Sequence, residues 1–439
     1  MASTFRALAF CFAAVVLLRA GHARVRDEAA GVHDVTEYGA APGNRDNKDA
    51  FLAARRAACD SAAGNSTLLV PKGTFAVGAV RFEGPCRTDG GAPAVTVVID
   101  GVLQPCTGGG RHLSDDAWIT FSGLNNLLVT GNGTLDGQGR RSGAKSKSKS
   151  KPTTLLFDGV TNSALSVLAF LNSRGFHVNL RRCAHVVASG LGIRAPATSR
   201  NTDGVHVGLS RHIRILDSVI GTGDDCVSIG PGSADIVVDG VTCGPGHGLS
   251  VGSLGKRGGE DQEQQDVRGV VVRNCTVKGA TNGVRIKTWP AAPPSRASNI
   301  TFEDIAMAGV SNPIIIDQRY CPHDHCAGAD KISGVTYRRI EGTSRSPLAV
   351  RLLCSEERPC TGVRIDGVNL TCGDAPCRSE FSNVLGPLTG AVTEPPSPAP
   401  AVAVPPVRGE EEDADVASGT EEQLGRLMWW LPFTVRGRV

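Results

Sequence analysis

Three aspartates, one histidine and two basic residues recur at a spacing that could do acid–base chemistry. They stand in four short motifs: Asn201-Thr-Asp203, Gly223-Asp-Asp-Cys226, Gly246-His-Gly248 and Arg285-Ile-Lys287. Asp203 precedes Asp224 by 21 residues, and Asp225 precedes His247 by 22. If the chain coils with that period, Asp203, the Asp224/Asp225 pair and His247 come from three successive turns and meet, because neighbouring strands lie about 4.8 Å apart. Carboxylates crowded together repel, so at least one should hold a proton near neutral pH. A protonated carboxyl can donate to a glycosidic oxygen while ionised neighbours activate water. Arg285 and Lys287, two apart on a strand, point to the same side and could bind a carboxylate on the sugar.

Each motif has a plainer reading. Asp203-Gly204 could be a turn, Asp224-Asp225 a turn or half a calcium site, His247 a lone loop histidine, and Arg285 with Lys287 a solvated strand face. All four in this order and spacing make joint coincidence a poor explanation.

The elements that must position these residues are short and β-branched. Leu127–Thr130, Val186–Ser189, Ile213–Ile215, Ile236–Asp239, Val270–Arg273 and Ile300–Glu303 are each followed by a second apolar segment such as Cys226–Ile229, Leu249–Val251, Val284–Ile286 or Pro313–Ile316. Ile213 to Ile236 is 23 residues, Ile236 to Val270 is 34 and Val270 to Ile300 is 30, the longer gaps carrying hydrophilic insertions at 255–266 and 289–298. A period in the low twenties with variable loops marks a solenoid. With strands as the repeating unit, the expected fold is all-β, a parallel β-helix in a single domain. A β-sandwich is the alternative, but Asn-Gly hairpin signals between strands are few. Leu52 to Ala58 reads as a short N-terminal helix capping the open end.

The chain has 439 residues, 54 Gly and 5% aromatics, which suits short strands between tight turns. Residues 1–23 read as a signal peptide: Arg6, an apolar run from Ala7 to Leu18, and Gly21-His22-Ala23. That run is too short to span a bilayer. The expected boundaries are 1–23 signal, 24–385 catalytic β-helix, and 386–439 a Pro/Ala-rich, acidic tail expected to be disordered. A second biased stretch, Arg140 to Lys151, alternates Ser and Lys. Its basic charge could help hold a polyanion, with a solvated loop as the alternative. Losing Arg6 and Arg19 brings the net charge from +3 to +1, so the whole molecule is no polycation and no nucleic-acid partner is expected. Of the 14 cysteines Cys11 leaves with the signal, and the odd remainder leaves at least one unpaired or intermolecular. Cys321/Cys326, Cys354/Cys360 and Cys372/Cys377 are spaced as local staples, and Cys59/Cys86 and Cys226/Cys243 as longer loops. Nothing pairs the cysteines as zinc ligands, and no metal or cofactor is expected. Sequons at Asn65, Asn132, Asn274, Asn299 and Asn369 fit a secreted glycoprotein.

Together these motifs resemble the polygalacturonases, glycoside hydrolase family 28, over residues 33–380. The resemblance also rests on Val70-Pro-Lys-Gly-Thr-Phe75, Gly131-Asn-Gly-Thr-Leu-Asp-Gly-Gln-Gly139, Cys243-Gly-Pro-Gly-His-Gly248, Gly252-Ser-Leu-Gly255 and Asn312-Pro-Ile-Ile-Ile-Asp-Gln-Arg-Tyr-Cys321. Gly283-Val-Arg-Ile-Lys-Thr288 and Leu352-Leu-Cys-Ser-Glu-Glu-Arg-Pro-Cys360 look closest to the plant pollen-type, exo-acting members. The resemblance implies a right-handed parallel β-helix that hydrolyses polygalacturonate with inversion. It implies Asp224 as general acid, Asp203 and Asp225 as holders of the attacking water, and His247 as support. Arg285, Lys287 and Tyr320 would bind galacturonate, and Asn201 would contact substrate or hold Asp203. It further implies a monomer, secreted to the cell wall, with no membrane partner once the signal is gone. Arg174 and Arg200 stand where relatives usually carry Pro.

Two other functions fit a β-helix. A pectate lyase would use calcium and an arginine base, and a non-catalytic wall-binding protein would need no acids. The intact carboxylate set argues against the second, since a binder of an anionic chain gains nothing from clustered Asp.

Overall fold

The computed structural model describes residues 31–61, 66–86, 95–106, 116–139, 151–255, 265–289, 295–320, 331–374 and 376–386. The expected signal peptide, most of the Ser/Lys stretch, Asn65, the Cys321/Cys326 staple and nearly all of the tail lie outside these residues.

Among the described residues an 11-stranded parallel sheet and a 21-stranded sheet run along the coil, successive turns from Val80–Glu83 onward contributing a strand to the first and one or two to the second. In the smaller sheet the strands follow in chain order, from Val80–Glu83 through Val205–Gly208, Val227–Ile229, Leu249–Leu254 and Asn282–Thr288 to Arg378–Ser382. The described residues form a parallel β-helix, as the strand rhythm predicts.

The coil is held by β-branched aliphatic residues stacking along its axis. Ile213, Ile236, Val270, Ile300 and Val335 are mutual register partners on successive turns, and all are fully buried. Between them Arg214, Val237, Val271 and Thr301 face outward. Fully burying one such aliphatic side chain stabilises by about 1.5–3 kcal/mol, and β-branched residues suit the pleated surface. The turns from 213 to 236, 236 to 270 and 270 to 300 all stay in register, so the extra residues loop out without shifting the core.

The N-terminal helix runs from Lys48 to Asp60, longer than Leu52 to Ala58. Asn47 anchors its start, with its carboxamide bonded to Ala41, Arg45 and Ala76. Phe51, Ala54 and Ala58 turn inward, and Phe51 meets Phe75 edge-on at 6.3 Å. The helix thereby covers the first turns of the core. The Cys59–Cys86 disulfide ties down its end.

Cys226–Cys243, Cys354–Cys360 and Cys372–Cys377 are also bonded, as their spacing suggests. Cys183 and Cys275 are buried thiols whose burial raises them to about 11 and about 12, so they stay protonated. The sequon asparagines Asn132, Asn274, Asn299 and Asn369 are all exposed.

Candidate active site

The acidic motifs sit in the short loops entering three neighbouring strands of the 11-stranded sheet. Val205 pairs with Val227 and Val227 with Leu249, an offset of 22 residues at each step. That step carries Asp225 to His247, as the sequence spacing suggests. It also levels Asp203 with Asp225 rather than with Asp224, so the 21-residue spacing is one short of the true period. Backbone bonds from Gly204 N–H to the Asp225 carbonyl (2.9 Å) and from His247 N–H to the Asp224 carbonyl (2.8 Å) lock the three loops together. The loops pass so close that a β-carbon on Gly204 would strike the carbonyl of Cys226, and one on Gly223 the carbonyl of Ser199. Only glycine fits these positions. The Cys226–Cys243 disulfide fastens the segment straight after Asp225.

Asp225 is the deepest carboxylate, 1% exposed. Arg285 Nη2 donates to its Oδ1 at 2.8 Å and Lys287 Nζ to its Oδ2 at 2.9 Å, so the i, i+2 pair does converge. Ser250 adds a third bond to Oδ1 at 2.7 Å and receives Arg285 Nε at 3.1 Å. The Oδ2 of Asp203 accepts from Ser228 at 2.6 Å, and Ser228 contacts His206 Nδ1 at 2.8 Å. Asp224 accepts the backbone N–H groups of Asn201 (3.1 Å) and Asp225 (2.8 Å), and its Oδ1 lies 3.1 Å from His247 Nδ1. Tyr320 follows the strand Asn312–Asp317: Lys287 Nζ sits 5.3 Å from its ring centroid, and Trp289 meets the ring edge-on. All eight residues singled out in the sequence therefore belong to one connected cluster.

Their environments differ. Burial, then the charges of Asp225 and Asp224, push Asp203 up to about 8. Burial pushes Asp225 the same way, but Arg285 and Lys287 outweigh it and hold that group below its usual range. Burial would also raise Asp224, yet the His247 hydrogen bond and charge, with Lys287 and the Asp225 N–H, bring it down to about 2. The free site near neutral pH thus carries one proton, on Asp203, and two negative charges. Burial is the larger cause of the raised Asp203 value, and the carboxylate crowding expected from the spacing adds to it.

Four supporting residues escape a motif reading. Ser228 and Ser250 are register partners, each bonded to one carboxylate. The signal for them was present: each is a polar residue in mid-strand at the 22-residue period. His206 stacks on Phe176 with ring centroids 4.6 Å apart. His177 is fully buried, its Nδ1 donating to the Asp203 carbonyl at 3.0 Å and its Nε2 accepting the Ser173 N–H at 3.3 Å. That pattern needs a neutral imidazole, in keeping with burial lowering His177 to about 4. Asp224, Asp225 and His247 offer ligand atoms within 4.8 Å of one another, but both oxygens of Asp225 already accept from Arg285, Lys287 and Ser250.

Comparison with known proteins bears on the family and the fold. Residues 59–390 match the family described as Glycosyl hydrolases family 28. An exopolygalacturonase of Platanus acerifolia is 40% identical over 371 residues, 82% of this chain and 96% of its own. A polygalacturonase of Nicotiana tabacum is 39% identical over 391 residues, 87% of this chain and 95% of its own. Among solved structures, the endo-xylogalacturonan hydrolase of Aspergillus tubingensis superposes with a TM-score of 0.70 at 24% identity, covering 83% of this chain and all of that one. The exopolygalacturonase of Thermotoga maritima gives 0.63 at 18% identity, with 79% and 89% covered. At these identities the structural likeness speaks for the fold.

Proposed function

Because the chain belongs to glycosyl hydrolase family 28, we propose that it hydrolyses α-1,4-galacturonosyl linkages of polygalacturonate with inversion, acting from chain ends. The observation that carries this reading is the convergence of Arg285 and Lys287 on Asp225, within 2.9 Å, beside two further carboxylates. Acids alone would cut a neutral sugar; the two cations add a place for an acidic one. Lys287 has three N–H donors and Arg285 five, so both can keep Asp225 and still take a sugar carboxylate. Tyr320 would pack against that sugar, beside Lys287. The exopolygalacturonase relatives favour the exo mode.

In this reading the single proton of the cluster moves from Asp203 to Asp224 once substrate is bound, and Asp224 gives it to the glycosidic oxygen. Asp203 and Asp225, then both ionised, hold and activate the attacking water, and His247 supports Asp224. Asn201 steadies Asp224 through its backbone N–H. A substrate carboxylate arriving at Arg285 and Lys287 adds negative charge beside Asp224 and draws cations from Asp225. Both effects favour a proton on the cluster. The enzyme would be a secreted monomer acting in the cell wall, which suits its disulfides and exposed sequons.

A second reading gives the proton-donor role to Asp203, because Asp203 is the carboxyl pushed up to about 8. Reducing-sugar release from polygalacturonate by the wild type and by Asp224→Asn tests the first assignment; unchanged activity in D224N would sink it. An aryl galacturonide with a good leaving group separates the two. It needs little protonation, so it should rescue whichever variant, D224N or D203N, lacks the acid.

A further inference from the structure

The Ser/Lys stretch ends in Lys151, and this residue reaches the active site. Its Nζ donates to the carboxamide oxygen of Asn201 and to the carbonyl of Arg200, each at 3.1 Å. Both acceptors are neutral. Among the described residues no carboxylate lies within ion-pair distance of Lys151, and its side chain is exposed. An ammonium has three N–H donors, so one remains for a ligand.

Its position matters more than its exposure. Asn201 holds a left-handed backbone, φ 59°, and its N–H donates to Asp224 Oδ2. Lys151 is therefore two hydrogen-bonded links from Asp224. It arrives from the strand that follows at Thr153–Asp158, on the N-terminal side of the carboxylates in the stack. Arg285 and Lys287 come from Asn282–Thr288, on the C-terminal side. The cluster has compensated cations on one side and an uncompensated cation on the other.

A polyuronide carries a carboxylate on every ring, so the two rings flanking the cleaved bond present two carboxylates. We propose that Lys151 binds the carboxylate of the ring on the opposite side of the cleaved bond from the ring held by Arg285 and Lys287. The enzyme then requires a free acid on both rings. This inference rests on the reaction proposed above and adds a specificity-determining residue to it. The neutral acceptors keep the ammonium in place without neutralising it, which leaves its charge for the substrate.

The test uses trigalacturonate and the same oligomer methyl-esterified on one ring at a time. Binding is read by calorimetry on D224N, D224N/K151M and D224N/K151Q. Esterifying the ring on the Lys151 side should weaken binding to D224N about tenfold, the scale of a charge-assisted hydrogen bond. Lys151→Met should weaken the free acid by the same factor and leave that ester unaffected. Lys151→Gln, which keeps a donor for Asn201 but no charge, should behave like Met. If Met weakens acid and ester alike, or if Gln restores wild-type binding, Lys151 only holds Asn201 and the proposal falls. Because the comparison is read as binding, it decides Lys151 whether or not the wild type cleaves the oligomer. The wild-type rate on the same oligomer tests the reaction separately.

Discussion

His247 Nδ1 stands 3.1 Å from Asp224 Oδ1, and this contact is the largest influence holding that carboxyl low against its burial. Replacing His247 by Ala removes both the hydrogen bond and any charge on the ring, while burial remains. Asp224 should then lose its proton at higher pH than in the wild type. If Asp224 is the proton donor, H247A will shift the limb of the kcat/KM profile that reports this group to higher pH. A profile that keeps its wild-type limbs in H247A would show that the contact does not tune the acid.

Asp203 makes a prediction about stability rather than rate. Its folded value is about 8 against 3.8 for the free side chain. Between those values the folded chain holds a proton that the unfolded chain has released. Stability from this group therefore falls as pH rises from about 4 to about 8, and is flat outside that window. The loss amounts to an order of a few kcal/mol. Asp203→Asn removes the titration, so its melting temperature should depend less on pH across the window and exceed that of the wild type at pH 8. Parallel melting curves for the two proteins would contradict the assignment.

Ser250 links the cations to the carboxylate, receiving Arg285 Nε and donating to Asp225 Oδ1. Ser250→Ala leaves the buried Arg285 Nε without its acceptor and removes one of three bonds from Asp225. Kinetically, S250A should raise KM for polygalacturonate and lower kcat, each by several-fold to tenfold, because Arg285 sits on the proposed sugar carboxylate and Asp225 on the water. Ser228→Ala should act elsewhere. Its hydroxyl lowers Asp203, so losing it should raise the Asp203 pKa further with little effect on KM. Equal effects of the two alanines on KM would argue against this division of labour.

The sequence made the coil legible because a parallel β-helix repeats its environment. Ile213, Ile236 and Val270 occupy equivalent buried positions, so the pattern shows even where the spacing jumps from 23 to 34 residues. The acidic cluster was legible for the same reason: Asp203, Asp225 and His247 sit at the same place in consecutive turns, with Asp224 beside Asp225. The period came out one residue short at Asp203 because Asp224 and Asp225 are adjacent, and spacing alone does not say which of them is level with it. The strand register decides for Asp225. Ser228, Ser250 and His206 were overlooked because serine and histidine in a strand look like ordinary outward-facing residues, and His177 because it stands one residue before its strand. Their importance lies in what they touch across turns. Lys151 stands in a biased stretch that reads either as a polyanion-holding run or as a solvated loop, and composition alone does not single out one lysine of it.

The Cys226–Cys243 disulfide begins one residue after Asp225, at the residue whose carbonyl accepts the Val205 N–H of the Asp203 segment. A bond across 17 residues constrains the unfolded chain by about 3 kcal/mol in the loop-entropy picture. Replacing both cysteines by Ser should cost about that much stability and should also affect the site. Cys226 N–H donates to the Gly248 carbonyl at 2.9 Å, the bond that sets Asp225 against His247. With the staple gone, that junction can shift, and a displacement of 1 Å at a reacting group costs about 100-fold. The double variant C226S/C243S should therefore lose activity well below its melting temperature, with kcat falling more than KM rises. By contrast, breaking Cys372–Cys377, which lies on later turns, should lower the melting temperature and leave kcat unchanged for the folded protein. If both variants lose activity only in step with unfolding, the disulfide beside Asp225 is a general staple, and its position next to the carboxylates carries no catalytic consequence.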